Sequence, residues 1–150
     1  MRFKSPLKVM ASRAKDWILN LNQYRNTYFR TLNNVKINYK KAMQSQIAIG
    51  PAYKKIACIY TVYPRTKSSF DLGNVCCIHQ KFFEDAFVEL GKLPDDNIHH
   101  IPLAIYQYGH VDKDNPRVDI DVVDLENEGL EKVINLVYNN VNNQQKGDLK

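Results

Sequence analysis

The first 69 residues hold a single acid, Asp16, against fourteen lysines and arginines, a balance of +13. Residues 70–150 reverse it, with seven basic and fifteen acidic side chains and a balance of −8. Cysteine is scarce as well. Cys58, Cys76 and Cys77 are odd in number and fit no zinc spacing, which excludes a disulfide framework and a closed structural zinc site. They read as reduced, mostly buried thiols of a cytosolic protein. No apolar run reaches the roughly 18 residues of a membrane span. The opening "MRFKSPLKVMASRAKDW" also has no uninterrupted apolar segment of the signal-peptide kind. Internal repeats and Pro- or Gly-rich linkers are missing. The 150 residues therefore read as one domain able to bury a core, spanning 16–141 between a basic arm (1–15) and a polar tail (142–150).

What is present has a clear grain. "DWILNLNQYRN" (16–26) reads as a strand running into a polar loop. "VKINYKKAMQSQIA" (35–48) has helical spacing, with Ile37, Ala42 or Met43, and Ile47 near one face, and it stops at Gly50-Pro51. "KIACIYTVYP" (55–64) is β-branched and aromatic, as a central strand should be. Residues 74–90 form the clearest helix, with a stripe of Val75, Ile78, Phe82, Ala86 and Leu90 and a stop at Gly91. "IPLAIYQYG" and "RVDIDVVDL" read as a hairpin across the turn-rich "HVDKDNP", and 128–140 as a last helix. In the second of those strands Val118, Ile120 and Val122 face one way while Asp119, Asp121 and Val123 face the other. Strands and helices dispersed in this order predict an α+β fold, a mixed sheet with helices packed on it.

Chemistry concentrates in two acidic motifs that bracket the 74–90 helix, "FDLGN" (70–74) and "LPDDN" (93–97). Read plainly, Asp71 caps the helix and Asp95-Asp96-Asn97 is a turn. The alternative is a shared site for a hard cation such as Mg²⁺, which takes one or two carboxylates together with substrate phosphate. At about 100° per residue, Asn74, Lys81 and Asp85 fall on one helix face. The basic loop "PRTKSS" delivers Arg65 and Lys67 next to Asp71. A basic half points to a polyanion, and acids beside a polyanion site imply metal ions between them. Carboxylates, a lysine and a basic approach are the parts of metal-assisted phosphodiester cleavage. His79 is expected to be a partly exposed histidine outside the ligand set, and His99 and His100 to lie at a strand edge. Tyr24 and Tyr28 are expected to pack in the core.

The string from Asp71 and Asn74 through Lys81 and Asp85 to Gly91, Asp95 and Asp96 resembles the RusA family of Holliday junction resolvases. That family shows D-x-D-N, a lysine, D-A-L, a glycine and then D-D. "LNQYRNTYFR" and "NPRVDIDVVDL" are similar to its opening and closing segments, so the resemblance covers about residues 17–125. It implies a homodimer in the bacterial or phage-infected cytosol that binds four-way DNA junctions and nicks paired strands with Mg²⁺, Mn²⁺ being a substitute. Carried over, Asp71, Asp95 and Asp96 would bind metal, with Lys81 catalytic beside them. Asn74 and Asp85 would support the site, and Arg25, Arg30, Arg65 and Lys67 would contact phosphates. Gly73 stands where the family has its second aspartate. A non-catalytic DNA-binding protein with an incomplete metal site is therefore a competing expectation, and a protein-interaction module for an acidic partner is a third.

Overall fold

The structure, a computed structural model, describes residues 1–148, with side chains to Lys146. Its centre is β4 (Ile56–Tyr63), in which seven of eight residues are buried, as the β-branched and aromatic composition predicts. β4 pairs in parallel with β5 (Leu103–Tyr108) and antiparallel with β6 (Arg117–Asp124), and β6 pairs antiparallel with β1 (Arg2–Pro6). The result is a mixed four-stranded sheet in the order β1-β6-β4-β5. β2 (Lys8–Ser12) and β3 (Lys15–Ile18) form a separate two-stranded ribbon, followed by the single-turn α1 (Leu21–Arg25). The α+β expectation with a mixed sheet holds.

The expected hairpin does not. β5 and β6 lie on opposite sides of β4, because β5 returns parallel to β4 through α3 (Leu72–Glu89), a crossover that parallel strands require. The expected basic arm is also absent: residues 1–15 supply β1, β2 and the first residue of β3. Phe3 and Ser5 alternate inward, and the Met1 ammonium donates to the Val122 carbonyl at 2.7 Å. The polar tail is helical, since α4 runs Gly129–Asp148; residues 149–150 lie outside the described part.

Two helices cover one face of the sheet. α2 (Phe29–Ile49) buries Val35, Tyr39, Met43 and Ile47, a strict four-residue spacing that leaves Ile37, expected inside, exposed. α3 buries Ile78, Phe82 and Ala86 as expected, and also Cys76, His79, Phe83, Glu84 and Phe87, because it is sandwiched between α2 and the sheet. Val118, Ile120 and Val122 join this core. On the opposite face α4 packs Val133 against Ala57, Ile59 and Val123. Gly109 closes β5 where any side chain would strike the Tyr63 ring, 2.5 Å from an ideal Cβ. Its absence of a side chain lets the following loop pass against Tyr63. Among the described residues no helix is long and apolar enough to cross a membrane.

Candidate nucleic-acid interface

β4 ends at Tyr63, and the chain then forms a loop that reaches α3 at Asp71. This loop presents Arg65 and Lys67 to solvent. Asp71 caps the helix, accepting the Gly73 amide on Oδ1 at 2.8 Å, as the plain reading expects. Burial raises the Cys77 thiol pKa, with the Asp71 charge adding to the effect and the Arg25 charge opposing it. Arg25, in the last turn of α1, therefore shares this end of α3 with Asp71. Arg30 lies further along, its guanidinium 5.9 Å from the exposed Phe29 ring.

The pairing pattern separates two kinds of cation. Lys36 meets Asp85 at 3.9 Å and Lys40 meets Glu89 at 2.5 Å, ion pairs that tie α2 to α3. Asp85 thus makes a helix-packing contact with α2. Arg25, Arg30, Arg65, Lys67 and Lys81 form no ion pair among the described residues. Free cations of this kind are the ones able to exchange counterions for phosphates.

The expected metal residues do not come together. α3 has 18 residues, so its ends are about 27 Å apart. Asp71 sits before its first turn, whereas Asp95 and Asp96 follow its last, next to the chain that leads into β4: the Tyr53 amide bonds the Lys92 carbonyl there. "LPDDN" is a self-contained turn in which Asp95 accepts the Asp96 amide at 2.8 Å and the Asn97 side chain at 2.6 Å. These bonds hold the Asp95 carboxyl below its usual range. Among the described residues no group of three or more His, Cys, Asp or Glu side chains is placed to hold a metal. A Mg²⁺ ligand set of Asp71, Asp95 and Asp96 therefore does not fit one chain. Lys81 and Asn74 do share the α3 face predicted for them, Lys81 exposed and Asn74 half-buried. His99 and His100 lie in the turn before β5, where His100 Nδ1 bonds the Lys54 carbonyl at 2.7 Å. Tyr24 packs on Phe82 as expected, but Tyr28 is 62% exposed.

Three buried polar groups were not foreseen. His79 is fully buried, with Nδ1 2.7 Å from Ser5 Oγ, which in turn meets Tyr39 OH. Burial lowers its pKa to about 3, so the ring is neutral. Glu84 is buried against the sheet and accepts the Tyr60 hydroxyl at 3.1 Å. Burial raises its pKa to about 7, with the charges of Asp96 and Asp85 contributing. Gln80, one turn earlier, accepts the Tyr106 hydroxyl. The i, i+4 spacing of Gln80 and Glu84 was a readable signal for a polar stripe toward the sheet. Finally, the two buried aspartates of β6, Asp119 and Asp121, are neutralised in place. Arg2 bonds Asp121 at 2.8 and 3.0 Å, and Arg117 bonds Asp119 at 2.7 Å and Asp112 at 2.8 Å. Arg117 also lies 4.3 Å from the centre of the Tyr63 ring. No protein-family model matches the chain, and no curated protein matches it either.

Proposed function

We propose that the protein binds DNA, and branched DNA in particular, through the end of the sheet where β4 meets α3. The observation that carries this reading is the set of cations there with no ion pair among the described residues, Arg65 and Lys67 in the loop and Arg25 on α1, whereas Lys36 and Lys40 of α2 are held by Asp85 and Glu89. Lys and Arg with no acidic partner gain most from displacing phosphate counterions. The preference for a four-way junction comes from the resemblance to the RusA resolvases. So does the homodimer, for which the exposed apolar side of α4 offers a surface: Leu130, Ile134, Tyr138 and Val141 are each at least 43% exposed. These four border an apolar groove against Leu103 and Ile105 of the free edge strand β5. A second copy of the chain is the occupant we assign to it, because two scissile strands at a junction call for two symmetric sites.

Binding is tested by fluorescence anisotropy with a synthetic junction and a linear duplex of the same sequence. The doubly substituted Arg65→Ala/Lys67→Ala protein should weaken binding and reduce the salt slope by about 2, one per lost phosphate contact. An unchanged slope removes the loop from the interface, and equal affinity for junction and duplex removes the branch selectivity.

Strand nicking is the second reading, favoured by Asp71 itself. Only one hydrogen bond to its carboxylate is present among the described residues, so Oδ2 is open to a metal that takes its remaining ligands from water and phosphate. Gly73→Asp would put back the second carboxylate at this helix start, where negative charge suits the helix dipole. Its Cβ would lie 3.2 Å from Asp71 Oδ1, a close fit that a small shift relieves. Mg²⁺- or Mn²⁺-dependent nicking of the junction, lost in Asp71→Asn, would establish an enzyme. Binding without nicking in both the unmodified protein and Gly73→Asp would leave the non-catalytic DNA-binding protein.

A further inference from the structure

The segment "NNVNNQQ" (139–145) runs from the expected last helix into the expected polar tail, yet all of it belongs to the later turns of α4 and is seated on the end of β5. Asn140 donates its side-chain amide to the Tyr108 carbonyl at 3.0 Å, and Gln144 donates to the same carbonyl. Each of those bonds uses one amide N–H and leaves the side-chain carbonyl oxygen free to accept. Together with Asn143 and His110 they line a groove of about 740 Å³. Lys67, from the proposed DNA-binding loop, lines it as well. Lys67 and Tyr108 also line the adjoining groove under loop residues 64–70, so the two grooves share a wall and run on from the phosphate-binding end. The sheet face next to it is polar too. Gln107 donates to Thr61 at 2.8 Å, and its Oε1 is buried with no partner among the described residues.

We propose that this groove reads a nucleobase of the bound DNA, with Asn143, His110 and the free carboxamide oxygens of Asn140 and Gln144 on the base edge and Lys67 on the neighbouring phosphate. The proposal rests on the DNA-binding reading above and adds to it a sequence-reading subsite. Carboxamides suit the task because one amide group offers a donor and an acceptor side by side, the pattern that pairs with adenine N7 and N6. Phosphate contacts position the nucleic acid but carry no base identity, so a chain with only Arg25, Arg65 and Lys67 at its interface would bind all sequences alike. The amide groove supplies what those cations lack.

The experiment measures the affinity of the full chain for a panel of junctions that differ by one base pair at successive positions from the branch point. The unmodified protein should discriminate at one position, with adenine favoured. Asn143→Ala, whose side chain does not hold α4 to β5, should cut that discrimination about tenfold while leaving the salt slope unchanged. His110→Ala is the second probe and should act in the same direction. Lys67→Ala should instead weaken binding to every sequence and lower the slope by about 1. A flat panel for the unmodified protein, or a preference that persists in both Asn143→Ala and His110→Ala, overturns the subsite and leaves the DNA-binding reading standing. A preference for another base that both variants erase upholds the groove as the reader. Failure of the unmodified protein to bind any of the panel at low salt overturns the DNA-binding reading itself, and the subsite with it.

Discussion

Glu84 is a carboxyl group placed where water cannot solvate its charge, bonded to a neutral phenol and within reach of two other acids. Its folded-state pKa of about 7 lies above the ordinary 4.5, so the folded protein holds a proton that the unfolded chain releases. Stability from this group is full below about pH 4.5 and is lost as the pH rises through 7. The loss is on the order of 3 kcal/mol. Glu84→Gln keeps an acceptor for Tyr60 and removes the titration. Urea unfolding at pH 5 and pH 8 should show the unmodified protein losing stability relative to Glu84→Gln across that interval. A constant difference would mean that Glu84 is ionised in the fold. His79 works in the opposite direction, because its pKa is depressed to about 3 and its contribution disappears as the pH falls through 6.5 toward that value. Comparing the two proteins cancels this shared term.

Among the elements, β6 shows how an alternating strand can hold charge inside. Val118, Ile120 and Val122 enter the core under α3, so Asp119 and Asp121 must face the other side of the sheet, where both are buried. The register places Arg2 directly across from Asp121. Arg117 then reaches along its own strand to Asp119, so each buried carboxylate has a guanidinium. Removing one charge from such a set leaves its partner uncompensated, which typically costs 3–5 kcal/mol. Arg117, the guanidinium that loss of the Asp119 charge would strand, still keeps Asp112 at 2.8 Å, which repays part of the loss. Asp119→Asn should therefore destabilise the fold by about 2 kcal/mol in urea titration, with an unchanged m-value. A cost within experimental error would show that the ladder is not coupled to folding. The two-residue alternation that exposes this arrangement was readable in "RVDIDVVDL", as were β4 and α3 from their composition and periodicity. The partners were not. Pairing of β6 with β1 and β4, and of β5 in parallel with β4, is decided by contacts between residues far apart in sequence, so a turn-rich connection looked like a hairpin. The same limit dissolved the shared metal site. A helix between two acidic motifs suggests that the chain folds back and joins them, but 18 helical residues hold them apart instead.

At the scale of the whole molecule the uneven charge has a spatial meaning. The excess of bases in the first half is partly consumed in tying α2 to α3 and β1 to β6, through Lys36, Lys40 and Arg2. Among the described residues, the cations without an ion pair include Arg25, Arg65 and Lys67, placed around the start of α3. The apolar side of α4 is left open by the sheet, with Leu130, Ile134, Tyr138 and Val141 exposed, while every apolar residue of α2's inward stripe is covered. Ile134 and Tyr138 are 59% and 65% exposed, apolar surface that gains from cover by another surface. Closing that face against a second copy would pair the two free β5 edges with apolar cover and present two cationic ends to one DNA branch. Light scattering after size exclusion should then give twice the 17.4 kDa of the chain. Ile134→Asp, which places a carboxylate in the middle of the apolar stripe, should return the monomer mass without loss of helical signal. If the unmodified protein elutes as a monomer at micromolar concentration, α4 is not a dimer surface. Paired action on a junction would then need two independently bound chains, visible as a two-step binding isotherm.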